Sequence, residues 1–586
     1  MVTGTKTGRD FRSTAHGFGV CAAAVLVLYL ISGMNAIYLR ETSLSLLMAL
    51  LTCACAFYVT SAFIEIKKKY LSLLSSVPAF GIYMLIFRLS FDSVGRKTMP
   101  CLGIMEGVLF WAGLGTVAVS VAVLALGHKL KSEDAVTAVL AAGFVIRAVM
   151  VLFTPMNYQQ HDVSNFSGNQ AGFHDSYILY IYENLTIPDV DVRDYGQFYH
   201  PPLHYILSAL FLRLHNVLPM KYAKDVNGLK FLPMLWTSFL ILFSKKSLEQ
   251  LKITGKSLSF SMMLIVFCPQ MIFLAIQVNN DALALMLFTC SIYLALKWYA
   301  KPELTTILLL AISIGCAMMT KLSMGFVAFP VAWIFLAKFV DAVRTGNKAP
   351  RLMKQFGAFA ALVFPLGMWF PLRNLFVYRV PVTYVYEIDS SANMDVWMYS
   401  AFQRLFAPSK ELLSTPFLQE GKDLNDYNVL LCLIKTGLFD ERNFDNSYLT
   451  VIGLMLMWLS FVMVLYILFL AISVSVRRFK ASGRKILSCT AGISLWILTA
   501  VLVFAETVFC FRHPVVCTGA FRYIAPVLIP AAFACGSIIG EEGTDKRLKA
   551  FSVILKGLIL LFVLFVVMFY GPFIQYAGPW QNMIRG

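Results

Sequence analysis

Apolar runs of about 18 residues or more recur along almost the whole chain, and no other feature restricts its fold so severely. Each is long enough to cross a hydrocarbon core about 30 Å thick as a helix. Inside lipid every backbone N–H and C=O must find a partner within the protein, so only helices and closed barrels can span. A barrel would show segments of roughly ten residues with alternating polarity, and this sequence has none. Of its 586 residues 59% are hydrophobic and 14% charged, whereas a soluble domain is nearer a quarter charged. The 48 Phe and 26 Met make the excess bulky hydrocarbon rather than Ala or Gly. The fold class is an all-α polytopic membrane protein.

The net charge of +17 invites a nucleic-acid reading, but its placement excludes one. The basic residues sit in short loops such as Lys67–Lys69, Lys245–Lys246 and Arg477–Lys485, the positive-inside pattern, and gather on no single face. Lys6, Arg9 and Arg12 precede the first apolar run and keep the N-terminus cytoplasmic. That run, about 20–38, is too long for a signal-peptide core and lacks a small-residue cleavage site, so it reads as a retained helix. The expected location is the plasma membrane, in multi-pass form, of a bacterial cell. The cysteines fall mostly inside apolar runs, where they behave as small hydrophobes. Cys510 and Cys517 bracket one expected external loop, where a disulfide and two free thiols are both open.

Hydropathy places spans near 18–38, 44–64, 72–89, 102–127 and 135–153, then 229–245, 258–276, 281–299, 304–319, 323–340 and 354–371, and finally 449–474, 486–510, 522–540 and 549–572. Counting crossings from the two ends disagrees by one unless 202–218 lies along the interface instead of crossing. It opens with Pro201-Pro202 and carries Arg213 and His215, as an interfacial helix would. Two polar stretches, 154–200 and 373–448, then fall outside the cell.

The first of them is the more informative. It holds Asp162, Asp175, Asp189, Asp191, Asp194 and Glu183, with His161, His174 and His200. Half of the chain's eight histidines lie between His161 and His204. A loop of this length is usually functional or disordered. The run Tyr177-Ile178-Leu179-Tyr180-Ile181-Tyr182 reads as a helix lying in the headgroup region, apolar face down. Asp162 follows the end of the 135–153 helix closely, so its carboxylate should sit just outside the lipid, where it can take a proton from an acceptor hydroxyl. Asp175 can assist or bind a cation. Both also fit solvated, helix-capping carboxylates. At His200-Pro201-Pro202-Leu203 the prolines open a helix whose N-terminus offers partial positive charge, and His200 adds a donor, for a phosphate.

This arrangement resembles the GT-C superfamily of polyprenyl-phosphate-sugar glycosyltransferases, especially its protein O-mannosyltransferase and aminoarabinose-transferase branches. The pieces that match are His161-Asp162-Val163, His174-Asp175-Ser176-Tyr177-Ile178 and His200-Pro201-Pro202-Leu203. Weaker echoes are Asn279-Asn280-Asp281, Thr320-Lys321, Arg373-Asn374 with Pro381, and Arg522-Tyr523. Where those branches carry an Asp-Glu pair this chain has two His-Asp pairs, which leaves Asp162 and Asp175 both open as the base. The resemblance implies a GT-C type helix bundle whose external loops carry membrane-surface helices. It divides the chain into an additional transmembrane module over 1–133 (about four helices), a catalytic core over 134–380, a second external loop over 381–448, and C-terminal helices over 449–586.

The activity it implies is inverting transfer of a sugar from a polyprenyl-phosphate-linked donor to a glycan, lipid or protein acceptor on the external face. Asp162 and Asp175 would be catalytic, and His161, His174, His200, Tyr177, Arg373 and Arg522 would bind substrate. Arginine suits the phosphate because its planar fork donates two parallel hydrogen bonds. Some members of the superfamily use a divalent cation, so one stays open here, but the sequence offers no dedicated cage and no metal ligand is assigned. The rival reading is a transporter or flippase of lipid-linked glycans, which shares the many helices and intramembrane charges.

Overall fold

The computed structural model describes residues 131–153, 160–163, 172–217, 229–346, 349–386, 393–421, 424–444, 446–543 and 545–576, with a few helical positions between 114 and 125. The spans expected near 18–38, 44–64 and 72–89 lie outside the described residues, as does most of that near 102–127. The described residues are helices and turns joined by irregular segments, with a single antiparallel bridge between Asp395 and Val515.

The chain divides into two compact units. The smaller takes Met1–Pro155, Phe211–Phe231 and Ile574–Gly586, and contains α1 (Ser132–Phe153). Arg147 lies inside α1 at 1% exposure, its Nη1 donating to Gly143 O at 2.8 Å one turn back. Lys230 Nζ donates to Val151 O at 3.0 Å in the same unit.

The larger unit takes Met156–Leu210 and Leu232–Phe573. Along the chain after α1, without regard to unit, come α2 (His174–Asn184), α3 (Leu203–Val217), α4 (Phe231–Gln250), α5 (Gly255–Val266), α6 (Pro269–Phe273), α7 (Asp281–Ala300), α8 (Leu304–Met318) and α9 (Ala328–Arg344). There follow α10 (Ala349–Tyr378), α11 (Ala401–Phe406), α12 (Lys410–Ser414), α13 (Val429–Phe439), α14 (Ser447–Ala481), α15 (Thr490–Arg512), α16 (Leu528–Gly540) and α17 (Lys546–Tyr576). Among the described residues six helices are long and apolar enough to cross a bilayer: α7, α9 with the short turn before it, α10, α14, α15 and α17. Their outward faces are hydrocarbon, as Phe329, Phe364, Leu465 and Phe504 show. That is how a chain built for lipid differs from one built for water.

Two expected spans depart from a continuous helix. The segment expected over 258–276 stops at Val266, turns through Phe267 and Cys268, and restarts as α6, because Pro269 has no N–H to continue the ladder. The one expected over 522–540 is a bent pair, Val516–Tyr523 with Ala525–Gly540, at 45°. That over 304–319 is a helix of 15 residues. The second polar stretch likewise hides a buried apolar helix: α13 carries Lys435 at 0% exposure, satisfied by Asp426 at 2.9 and 3.0 Å.

The helix α8 packs on α7 and α10. Its contact with α10 is close at Gly315, where an added Cβ would stand 2.6 Å from Leu366 Cβ. Ala is the better helix former by about 1 kcal/mol, but overpacking costs about 1–3 kcal/mol. Gly315→Ala should therefore lower the unfolding temperature in detergent. Gly357→Ala, where a Cβ meets nothing within 4 Å, should hold or raise it. Equal shifts in the two variants would refute the close contact.

Candidate functional site

The short segment around Asp162 is clamped from several directions. Gln160 Nε2 donates to Ile276 O and its Oε1 accepts from Val278 N, both at 2.7 Å, while Arg442 Nη2 donates to Gln160 O at 3.0 Å. His161 Nε2 stands 2.7 Å from Asp440 Oδ2, and its Nδ1 stands 3.0 Å from Glu441 Oε2. With a carboxylate at each ring nitrogen both must donate, so the ring is an imidazolium. The Asp162 carbonyl accepts from His174 N at 2.8 Å. These contacts hold Asp162 at φ 53°, a left-handed conformation that Asp tolerates better than most residues. Asp440, at φ 56° and ψ −154°, occupies a region that is nearly glycine's alone. Strain on both sides of one imidazolium marks an over-determined site.

The Asp162 residue is exposed, and its carboxylate has no hydrogen-bond partner among the described residues. It opens to solvent at one edge while standing in a crowded recess. Desolvation there pushes its pKa up, against the pull of His161 and Arg522. Burial alone would push His161 down, but Asp440 and then Glu441 outweigh it and hold the imidazole up at about 9. Burial would likewise raise Glu441, yet Arg522 and His161 keep it well below the usual carboxylate range.

Beside this clamp lies a buried lattice of charge. Asp281, the first residue of α7, meets Lys321 Nζ at 2.5 Å and Arg522 Nε at 3.3 Å. Arg522 Nη1 lies 2.9 Å from Glu441 Oε1 and 3.7 Å from Asp440 Oδ1. Lys321 stands 4.4 Å and Arg522 5.1 Å from the centre of the Tyr523 ring. Three carboxylates (Asp281, Asp440, Glu441) thus face three cations (Lys321, Arg522, the His161 imidazolium). The arrangement depends on broken backbone. Arg522 sits in the bent span, Asp281 just after the α6 interruption, and Asp440 and Glu441 just past the end of α13.

Rings form the neighbouring wall. His174 Nδ1 is 2.8 Å from Tyr205 OH, and the His174 ring is stacked with His200 at 5.8 Å. Tyr177 lies between Tyr205 at 3.9 Å and Phe198 at 4.5 Å. At 1% exposure it belongs to this stack and not to a headgroup surface, because the ring stack buries that face of α2. Burial first, then neighbouring charge, lowers both His174 and His200, so both are neutral donors or acceptors. Leu203 N donates to Met319 O at 3.0 Å, which stitches the His200-Pro201-Pro202-Leu203 turn to the turn that presents Lys321.

The structure therefore brings His161, Asp162 and Arg522 together and sets His174, Tyr177 and His200 against them. Asp175 is in the first turn of α2 at 1% exposure. Arg373, whose charge reaches Tyr177, donates to Asp189 Oδ1 at 2.5 Å, Pro188 O at 3.2 Å and Asn374 Oδ1 at 3.0 Å, tying the loop to the end of α10. Sequence reasoning overlooked Asp440, Glu441 and Arg442. Their signal was three consecutive charges directly after an apolar helix, which has no characteristic spacing. Cys510 and Cys517 are free thiols.

Among the described residues no three His, Cys, Asp or Glu side chains are placed to hold a metal ion. Both His161 nitrogens are turned to carboxylates, and Asp281 and Glu441 are matched to Lys321 and Arg522.

The clamp has a pH signature. His161 holds its proton to about 9 when folded, against 6.5 for the free side chain. Its stabilisation is fully present below about 6.5 and is lost as pH rises through about 9. Wild type should lose more thermal stability between pH 6 and about 9.5 than His161→Gln does. Parallel profiles would mean that the ring is not charged.

No protein-family model and no curated protein sequence matches this chain. Solved structures similar to it include two of archaeal oligosaccharyltransferases. One is the crystal structure of the Archaeoglobus fulgidus oligosaccharyltransferase in the apo form, at 13% identity over 76% of this chain and 56% of that one, with a TM-score of 0.41. The other is the archaeal oligosaccharyltransferase AglB from Archaeoglobus fulgidus in complex with an inhibitory peptide and a dolichol-phosphate, at 12% identity, the same coverage and a TM-score of 0.40. This chain spans little more than half the length of either protein. Neither likeness assigns a residue.

Proposed function

We propose that this protein is a membrane glycosyltransferase that moves a sugar from a polyprenyl-phosphate-linked donor to an acceptor hydroxyl, with inversion, and that Asp162 is its general base. One observation carries the reading: an exposed carboxylate with no hydrogen-bond partner among the described residues, held on a strained backbone by the Gln160 and His161 clamp, within the field of His161 and Arg522. An acceptor oxygen attacks the anomeric carbon while the bond from that carbon to the phosphate oxygen breaks. The acceptor proton passes to the Asp162 carboxylate, and the bonding pair leaves on the phosphate. Cations fixed in a water-poor site stabilise that charge without reorganising. Lys321 and Arg522 supply them, and neutral His200 adds a hydrogen bond. Arg373 has a different part, tying the loop at Pro188 and Asp189 to the end of α10.

The broken segments at α6 and at the bent pair favour a second reading, since interrupted helices beside buried charge also suit a carrier of lipid-linked glycans. A single experiment separates the two. Purified protein in liposomes is given a panel of labelled polyprenyl-phosphate sugars, and both transfer to acceptors and movement across the bilayer are followed. Transfer that depends on Asp162 supports the enzyme. Movement without transfer supports the carrier.

A further inference from the structure

Residues 394–414 are held firmly on one side and bare on the other. Val396 N donates to Pro514 O at 2.8 Å and Val516 N to Met394 O at 3.0 Å. Arg404, 4% exposed, donates from Nη2 to Cys510 O at 2.7 Å and lies 4.5 Å over the Phe511 ring. Asn428 Nδ2 adds a bond to Gln403 O at 3.1 Å. These contacts dock α11 on the last turn of α15. On the opposite side Trp397, Met398, Phe402 and Phe406 are 70%, 58%, 67% and 68% exposed. Single exposed apolar side chains are ordinary, but four large ones within ten residues of chain mark an interaction surface.

The depth of this surface follows from the length of α14. Its 35 residues rise about 52 Å, well beyond a hydrocarbon core of about 30 Å. Arg477, Arg478 and Lys480 keep one end among headgroups. The opposite boundary then falls about 20 residues earlier, close to Trp458. At that level α12 meets α14: Lys410, Leu413, Ser414, Leu454, Met455 and Trp458 line an open, apolar recess of about 550 Å³. The chain turns back between α14 and α15, so the last turn of α15, on which α11 rests, is at the same boundary. Aromatic side chains concentrate at that depth because ring and polar edge are each solvated there.

We propose that this face seats an anionic phospholipid of the adjoining leaflet. Trp397, Met398, Phe402 and Phe406 enter the acyl region, one chain runs from the recess past Trp458 along Phe461 and Leu465, and the lipid phosphate meets Lys410 at the exposed rim. The recess opens onto α14 at Trp458, beyond which Phe461, Val462 and Leu465 are exposed on the lipid-facing side, and this continuity selects lipid over a protein partner. The inference stands apart from the transferase reading and needs none of its residues.

Two measurements on the full chain test it. In liposomes made with bromine-labelled acyl chains, wild type should lose a component of tryptophan fluorescence that Trp397→Tyr lacks. By native mass spectrometry, wild type should retain phosphatidylglycerol several-fold better than Lys410→Glu. Both positions are exposed, so neither variant should disturb folding, and gel filtration in detergent checks this. A Trp397 component quenched by aqueous acrylamide but not by brominated lipid would overturn the proposal in favour of a water-facing partner. Equal retention in Lys410→Glu would overturn the phosphate seat. Displacement of phosphatidylglycerol by an equimolar polyprenyl phosphate would reassign the recess to a prenyl lipid.

Discussion

Asp162→Asn should lower sugar transfer by roughly 10²–10⁴-fold while leaving donor binding unchanged, the range expected when a general base is removed. Asn nearly preserves the shape of Asp and tolerates the same left-handed backbone, so the clamp formed by Gln160 and His161 should survive. Only the ability to take the acceptor's proton is removed. The comparison that gives this result its meaning is Asp175→Asn. Asp175 is 1% exposed in the first turn of α2, so its loss should act on stability before it acts on chemistry. Transfer and donor binding are followed together, with unfolding temperatures measured for each variant. Full activity in Asp162→Asn would remove the proposed base. Abolished transfer in Asp175→Asn at unchanged stability would move that role to Asp175.

The second large effect belongs to Arg522. Its guanidinium, 7% exposed, lies against Glu441 at 2.9 Å, Asp281 at 3.3 Å and Asp440 at 3.7 Å. Arg522→Met should cost about 3–5 kcal/mol, because it leaves buried carboxylates without their shared cation. Arg522→Lys should recover part of that: one point charge replaces a planar fork that reaches several carboxylates at once. The measurement is unfolding in detergent, beside Arg522→Met carrying Glu441→Gln. Removing one of the stranded charges should return some stability, since the penalty comes from burial of unmatched charge. An unchanged unfolding temperature in Arg522→Met would show that the lattice contributes no stability. No recovery on adding Glu441→Gln would place the penalty elsewhere than in stranded charge.

These two residues also show how much of the site was legible before any coordinates. Asp162 stood out because it follows an apolar run closely, and Asp281, Lys321 and Arg522 as echoes of the family's short motifs. That Asp281 pairs with Lys321 and also with Arg522 could not be read from positions so far apart in the chain. Asp440 and Glu441 went unnoticed because nothing in a charged triplet after a helix distinguishes a capping segment from the anchor of His161. Tyr177 was misplaced for a related reason. A tyrosine-rich helix looks the same whether its rings meet headgroups or, as here, Tyr205 and Phe198.

Hydropathy alone carried the helical class and the approximate positions of α7, α9, α10, α14, α15 and α17, because desolvating an unpaired backbone in lipid costs more than any local preference can offset. Where the spans break was decided by packing. Pro269 interrupts its segment, yet Pro365 and Pro371 remain inside α10. The same residue type has opposite outcomes because neighbouring helices and side chains can satisfy a freed carbonyl at one place and not at another. The charged site is likewise a product of folding. His161, Asp281, Lys321, Asp440, Glu441 and Arg522 come from five separate stretches of chain, and their charges are tolerable inside the protein only where the folded backbone sets each beside its opposite.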